Sequence, residues 1–403
     1  MSRDRRHYSI LPLVWGLLLL LSLAITIVFH HSPAVAQFNR DRSPSVISLD
    51  GQWKFADRYV KPKGAELTTF DDRQWQSLTV PSNWFLQGKD FAGEGWYRRR
   101  FRIDSEFKDK LVQLIFEGVD YTSDVWLNGH YLGFHEGYFQ PFRFVVSPYL
   151  NYNGDNILVV KVNSPLEDPG KEWSLHKRQI KGIFNHHDTR PGGAWSSRGQ
   201  EKNTGGIWGD VSLQISDRVA ITQQQVTPKL NSNFQQGTAH LDLTIINSTN
   251  QRQTVKLSTQ LQPNNFQSAS DTPLISSHTL QPGENHLAID IPKSHPHLWW
   301  TWEQGRPDLY NVKTEVFLQD KLLDRTVTTF GFRTIVRHPR SQVWELNGRR
   351  IFLRGTNYIS SQWLSSMTSD KYAQDLKLMQ EGNINSIRVH AHIEAERFYQ
   401  LCD

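Results

Sequence analysis

The chain has 403 residues, 21% of them charged and 38% hydrophobic, enough for two or three domains with sizeable cores. The net charge of +5 is small and no Lys/Arg cluster with interleaved aromatics occurs, which argues against a nucleic-acid partner. The single cysteine, Cys402, rules out an internal disulfide and argues against a metal cage, so no metal or other cofactor is expected.

Residues 1–36 read as a targeting segment rather than as part of the fold. Arg3, Arg5 and Arg6 form its positive start, Ile10–Phe29 is an apolar run, and Ala34-Val35-Ala36 is a small-residue cleavage signal before Gln37. The expectation is a cleaved leader and an exported protein, periplasmic or extracellular. The alternative is an uncleaved membrane anchor through Ile10–Phe29, since about 20 apolar residues span a bilayer.

Residues 37–217 read as an all-β domain. Leu111–Phe116 is a short buried run, Ile157–Val162 follows the turn Asn153-Gly154-Asp155, and Val211–Ile215 closes the set. Asn128-Gly129 lies between Val125-Trp126-Leu127 and His130-Tyr131-Leu132. Asn-Gly between two strand-like runs predicts a type I′ hairpin, which needs positive φ at both turn residues. Many short strands with frequent turns point to a sandwich or jelly roll. The 14 Trp fit this, because large rings pack well on pleated sheets; flat rings also stack on sugars.

The runs Gly118-Val119-Asp120, Asp124-Val125-Trp126-Leu127-Asn128-Gly129, Gly133-Phe134-His135 and Gly205-Gly206-Ile207-Trp208-Gly209-Asp210-Val211 carry a resemblance. In this order they resemble the N-terminal sugar-binding domain of glycoside hydrolase family 2, which includes β-galactosidases, β-glucuronidases and β-mannosidases.

Between Pro165 and Gly206 no strand periodicity is visible. This segment carries Trp173, His176, Arg178, His186-His187-Asp188, Arg190, Trp195 and Arg198. Long structureless segments inside compact domains are uncommon and often functional. Three readings stay open: a metal site at His186-His187-Asp188, a loop reaching the barrel mouth with His187 and Trp195 on substrate, or a solvated packing loop.

Residues 218–333 read as a second β domain, with strands at Leu241–Ile246, Val255–Leu261, Asn285–Ile291 and Val312–Leu318. The length suits an immunoglobulin-like sandwich without the cysteine pair. Leu298-Trp299-Trp300, Pro307-Asp308-Leu309-Tyr310 and Phe330-Gly331-Phe332-Arg333 resemble the second domain of the same family. Trp299, Trp300 and Trp302 serve either interdomain packing or a sugar-stacking platform.

Residues 334–403 read as the start of a (β/α)8 barrel: strand Ile351–Gly355, a helix capped by Ser369 or Asp370, a second strand, and a second helix. Tyr372, Leu376 and Met379 make one apolar helix stripe, and Gly382 suits the helix end. In the second strand Ile387, Val389 and Ala391 share one parity, facing the helices. Ser386, Arg388, His390 and His392 share the other, which points inward. Polar inward residues at the C-terminal end of a barrel strand read as active-site residues; the alternative is a structural ion-pair network. Glu394 and Glu396 sit two apart at a helix start, where acidic side chains complement the helix dipole and diverge, so neither is expected to be catalytic.

The run Arg354-Gly355-Thr356-Asn357 resembles the family's barrel opening, and Arg388 matches an arginine in its active site. The family histidine three residues after that arginine is replaced by Ala391, so the resemblance selects neither the galactosidase nor the glucuronidase branch. The overall expectation is a mainly β chain: a jelly-roll-like β-sandwich, an immunoglobulin-like β-sandwich, and two β/α units of a TIM barrel. The resemblance implies a retaining hydrolase of β-linked sugars, with Arg388, His390, His392, Asn357, His187 and Trp195 as substrate-binding residues and a carbohydrate as partner. Retention uses two carboxyl groups about 5–5.5 Å apart. The family's acid/base and nucleophile glutamates lie on later barrel strands, so they are expected beyond Asp403, in a missing C-terminal barrel segment of a truncated or split product. The competing reading is a non-catalytic carbohydrate-binding protein of two β domains.

Overall fold

The computed structural model describes residues 45–60, 62–165, 202–390 and 392–403. The leader or anchor at Ile10–Phe29 and the loop residues His187 and Trp195 lie outside the described residues. Among the described residues no helix is long and apolar enough to cross a membrane.

The chain is mainly β. The first domain is two antiparallel sheets. One has six strands in the order Gln76–Val80, Gly51–Asp57, Gly93–Phe101, Asn156–Ser164, Thr122–Leu127, His130–Glu136. The other has four, in the order Ser45–Ser48, Val211–Ser216, Leu111–Phe116, Phe142–Val145. Their facing sides share one core built around Trp53, Phe55, Trp84, Tyr97 and Phe116. Every residue of Leu111–Phe116 is buried, as its apolar lettering requires of an inner strand covered on both faces.

Asn128 and Gly129 take φ of 53° and 83°, the type I′ hairpin. The Asn128 side chain also ties the turn down: its Nδ2 donates to the Tyr149 carbonyl at 2.8 Å and its Oδ1 accepts from the Ile157 amide at 2.8 Å. The double glycine Gly205-Gly206 has a different cause. A Cβ at Gly205 would lie 2.0 Å from the Trp84 ring, so only glycine lets this segment cross the indole.

The second domain packs a three-stranded sheet (Val219–Leu230, Gln236–Asn247, Gly283–Ser294) against a four-stranded one (Leu274–Leu280, Gln253–Pro263, Tyr310–Leu318, Lys321–Phe330). Strand Gln236–Asn247 buries alternate residues, the period of two expected when one sheet face meets a core. Leu241, Ile245 and Ile289 join Leu257, Val312 and Val316 in that core.

The third segment starts with a three-stranded antiparallel sheet, Ile335–Arg337, Trp344–Leu346 and Arg349–Ile351, whose last two strands turn at Asn347-Gly348 with φ of 48° and 74°. Two parallel strands follow, Gly355–Tyr358 and Ser386–Val389, joined by α1 (Ser369–Glu381) and followed by α2 (Glu396–Cys402).

Two expectations need correction here. The anticipated strand Ile351–Gly355 is divided: Ile351 ends the hairpin and Gly355 begins the parallel strand, because the Asn-Gly turn folds Arg349–Ile351 back on Trp344–Leu346. The cap of α1 is Thr368, not Ser369 or Asp370. Its backbone is extended and its side chain accepts from the Lys371 amide at 3.3 Å, while Ser369 is already helical. At the other end Gly382 is the cap, as expected, with negative φ, and the left-handed position falls to Asn383.

The Trp-rich segment of the second domain packs against the third. Trp299 Nε1 donates to the Asp403 carbonyl at 2.8 Å, and the guanidinium of Arg349 lies 4.4 Å from the Trp300 ring centroid. The Glu303 carboxylate accepts from Arg354 and, at 2.5 Å, from Asn385 Nδ2. Trp299 and Trp300 are thus interdomain packing residues, while Trp302 remains exposed.

Candidate active site

The parallel pair places Asn357 and Arg388 opposite each other in register. Both are exposed, and Arg388 Nη1 donates to Asn357 Oδ1 at 3.3 Å. Their neighbours Tyr358, Ile387 and Val389 point the other way, into a cluster with Tyr372, Leu376, Met379 and Phe398 from the helices. The alternation of parity thus sets a guanidinium fork beside an amide on the open side of the strands. The His390 amide donates to the Tyr358 carbonyl at 3.0 Å, extending the pairing one residue past Val389, and its side chain is half-buried.

His392 is not on that open side, contrary to the parity expectation. The strand stops at Val389, so alternation no longer governs the chain when it reaches His392. The His392 and Glu394 side chains are both 0% exposed. His392 Nε2 lies 2.6 Å from Glu394 Oε1, and Nδ1 lies 2.8 Å from the His390 carbonyl. Both ring nitrogens thus face oxygen atoms. Glu394 Oε2 accepts from the Tyr372 hydroxyl at 2.5 Å, and the Glu394 amide donates to the Tyr399 hydroxyl at 3.2 Å. Burial alone would raise the Glu394 carboxyl. Hydrogen bonds from His392, Ser360 and Tyr372 outweigh it and hold the pKa below the ordinary carboxylate range. Burial, then the hydrogen bond to Glu394, pushes the Tyr372 hydroxyl well up.

Glu394 therefore needs correction as well. It precedes α2, whose cap is Ala395, and it closes a buried network rather than decorating a helix dipole; only Glu396 stands in the first turn. The two carboxylates do not form a pair, since Glu394 is enclosed and Glu396 is exposed.

What surrounds this network has no signal in the residue order. Phe139, from the first domain, has its ring centroid 6.2 Å from that of His392. Leu364 is buried with Tyr121, Tyr138 and Trp208. Buried Asn83 accepts on Oδ1 from the Ser365 hydroxyl at 2.7 Å and donates through Nδ2 to the Thr204 carbonyl at 2.5 Å. Phe85 stacks on Trp363 at 5.2 Å. Asn83 and Ser365 are 282 positions apart, and no periodicity links them.

Chemically, the open side offers a planar multi-donor guanidinium and an amide, suited to orienting the hydroxyls or a carboxylate of a sugar. Among the described residues no cluster of three His, Cys, Asp or Glu could hold a metal ion.

Three models of one family match the chain in succession. They are the sugar binding domain of glycosyl hydrolases family 2 at residues 87–214, glycosyl hydrolases family 2 at 219–333, and the family's TIM barrel domain at 338–403. A β-galactosidase of Priestia megaterium is 26% identical over 400 residues, covering 90% of this chain and 35% of that protein. A mannosylglycoprotein endo-β-mannosidase of Lilium longiflorum is 28% identical over 331 residues, covering 76% of this chain and 34% of that protein. The crystal structure of a Bacteroides uniformis β-glucuronidase superposes with a TM-score of 0.73 at 21% identity, covering 89% of this chain and 41% of that one. The chain spans about a third of the length of the curated relatives it matches. With all three segments matched in the family's order, this chain belongs to glycosyl hydrolase family 2.

Proposed function

We propose that this chain is part of an exported glycoside hydrolase that cleaves O-glycosidic bonds of β-linked sugars with retention of configuration. The observation that carries this reading is the pairing of Arg388 with Asn357 on the open side of two parallel barrel strands, near their C-terminal ends, the face where barrel enzymes build their sites. Arg388 and Asn357 would orient the sugar, and His390 lies next to them. The His392–Glu394–Tyr372 network holds the His390 carbonyl and so positions that edge without touching substrate. The acid/base and nucleophile carboxylates are assigned to barrel strands other than these two. Export rests on Arg3, Arg5 and Arg6, the apolar run Ile10–Phe29 and Ala34-Val35-Ala36.

The test is hydrolysis of aryl β-galactoside, β-glucuronide and β-mannoside by a protein that carries this chain together with the remaining strands of the barrel. Arg388→Ala is expected to lower kcat/KM on the order of 100-fold, the scale of lost substrate positioning. An unchanged kcat/KM in Arg388→Ala, or no hydrolysis of any of the three, overturns the reading.

A further inference from the structure

An edge strand presents a row of unpaired backbone N–H and C=O groups, and proteins normally guard it with charge, proline, a bulge or brevity. Five sheet edges among the described residues are seven residues or longer. Four of them carry such guards. His130–Glu136 ends in Glu136 and has an irregularity in its pairing. Val219–Leu230 holds Pro228 and Lys229, and Gly283–Ser294 holds Glu284, Asp290, Pro292 and Lys293. Lys321–Phe330 holds Lys321, Asp324 and Arg325. The fifth, Leu274–Leu280, has no Asp, Glu, Lys, Arg or Pro. It pairs in unbroken register with Gln253–Pro263 and is the outermost strand of its sheet.

The strand is fixed from behind and open in front. Leu280 is buried in the sandwich core, whereas Ile275, Ser277 and Thr279 point to solvent. Ile275 is 55% exposed and Leu274 39% exposed. The opposite edge of the same sheet is engaged: Lys321 pairs with Asp217 at 3.2 Å, and Asp324 accepts from the Ile221 amide at 2.7 Å.

The residue order of this strand also makes it its own complement. An antiparallel copy placed about a two-fold axis at Ser277 sets Leu274 against Leu280, Ile275 against Thr279, Ser276 against His278, and Ser277 against itself. Apolar meets apolar, β-branched meets β-branched, and hydroxyl meets imidazole, each a favourable cross-strand pair. The Ser276 hydroxyl and His278 Nε2 already lie 2.8 Å apart within the strand. No like charges face each other across the seam. On the neighbouring strand Lys256 is the partner of Ser277. It would stand three strand spacings, about 14 Å, from its own copy, beyond the Debye length at physiological salt. An unrelated strand would have to bring this matching pattern with it; a second copy of the chain supplies it.

We propose that Leu274–Leu280 is a homodimer interface, at which two copies of the chain pair this strand antiparallel about Ser277 and merge their four-stranded sheets into one of eight strands. The contact is isologous and uses up both unguarded edges, so it closes at two copies. A single seam of this length is at the small end of protein interfaces, which makes the dimer weak and concentration-dependent.

The test is sedimentation velocity of the 403-residue chain from about 1 to about 100 μM, the range in which a weak dimer forms. A shift from monomer to dimer across this range is expected. The double variant Ile275→Lys/Ser277→Lys sets four ammonium groups on the seam and is expected to weaken the dimer about tenfold or more. Both positions are exposed, so the thermal unfolding midpoint of the dilute monomer should be unchanged. Placement is read by cross-linking in a Cys402→Ser background, which removes the exposed native thiol. Ser277→Cys is expected to give a disulfide-linked dimer on mild oxidation. Ser232→Cys, in an exposed turn of the other sheet, is not. A monomer at every concentration up to about 100 μM overturns the proposal. So does a dimer that the two lysines leave unchanged, or a Ser277→Cys variant no more cross-linked than Ser232→Cys. None of these readouts depends on catalysis.

Discussion

The immunoglobulin-like sandwich and the barrel opening hold their order by different means. In the sandwich, strand Gln236–Asn247 buries six alternate residues against a facing sheet, and the core closes on itself. In the barrel opening, strand Ser386–Val389 has no buried residue at all. Its order comes from a small aromatic cluster around Tyr372 and Phe398 and from polar ties: His392–Glu394–Tyr372 within it, Glu303 to Arg354 and Asn385 behind it, and Asn83 to Ser365 in front. Polar contacts with the flanking domains stand beside this small cluster, where the sandwich relies on a closed apolar core. The two regions should therefore respond differently to mutation and to acid.

The largest effect is expected from Glu394→Ala, which leaves a buried imidazole and phenol without their partner and costs about 3–5 kcal/mol. Hydrogen exchange should show the loss in α1 and Ser386–Val389, with the sandwich amides unchanged; equal loss in both regions would break the comparison. The same residue sets a pH response. The folded pKa of Glu394 is depressed, so its stabilisation is present above the ordinary carboxylate pKa and is lost as pH falls through the folded value. The barrel opening should loosen in acid before the sandwich does, and Glu394→Gln should remove that difference.

Next in size is Leu257→Ala in the sandwich core. A fully buried leucine truncated to alanine costs about 2–5 kcal/mol, through lost transfer energy and the cavity left behind. This loss should appear in the unfolding of Val219–Phe330 and should not vary across mildly acidic to neutral pH. A pH-dependent loss would show that the sandwich also leans on ionised groups. The smallest effect is expected from Glu303→Ala, about 1 kcal/mol for a partly exposed ionic contact. It should read out as faster proteolysis near Arg354 without a shift in sandwich unfolding. A shift of both together would mean that the two regions melt as one unit.

Much of the architecture is legible in the residue order, and the reasons are local. Asn128-Gly129 announces its hairpin because few other residues tolerate two successive positive φ values. Ile387 and Val389 announce their face because a strand alternates sides. Strand Gly51–Asp57 escapes notice: its Trp53, Phe55 and Ala56 are all buried, so it lacks clean alternation against polar residues. Strand Gly93–Phe101 escapes for a related reason, since its Arg98 is buried and paired with Asp72 at 2.8 Å, an apolar position occupied by a charge.

For the site, sequence alone determines that Arg388 lies on a barrel strand and shares its side with the polar parity, because both follow from the two-residue period and the strand–helix–strand order, whereas Asn357 falls beyond the strand read at Ile351–Gly355 and joins the parallel pair only in the structure. Tertiary structure decides where that period stops. The chain leaves the sheet after Val389, and from there the fate of each side chain is set by which neighbour is within reach. His392 meets Glu394 two residues on, Glu394 meets Tyr372 from α1, and Phe139 arrives from another domain. Such contacts join residues that no local rule connects, and burial then turns the pairing of charges from an option into a requirement.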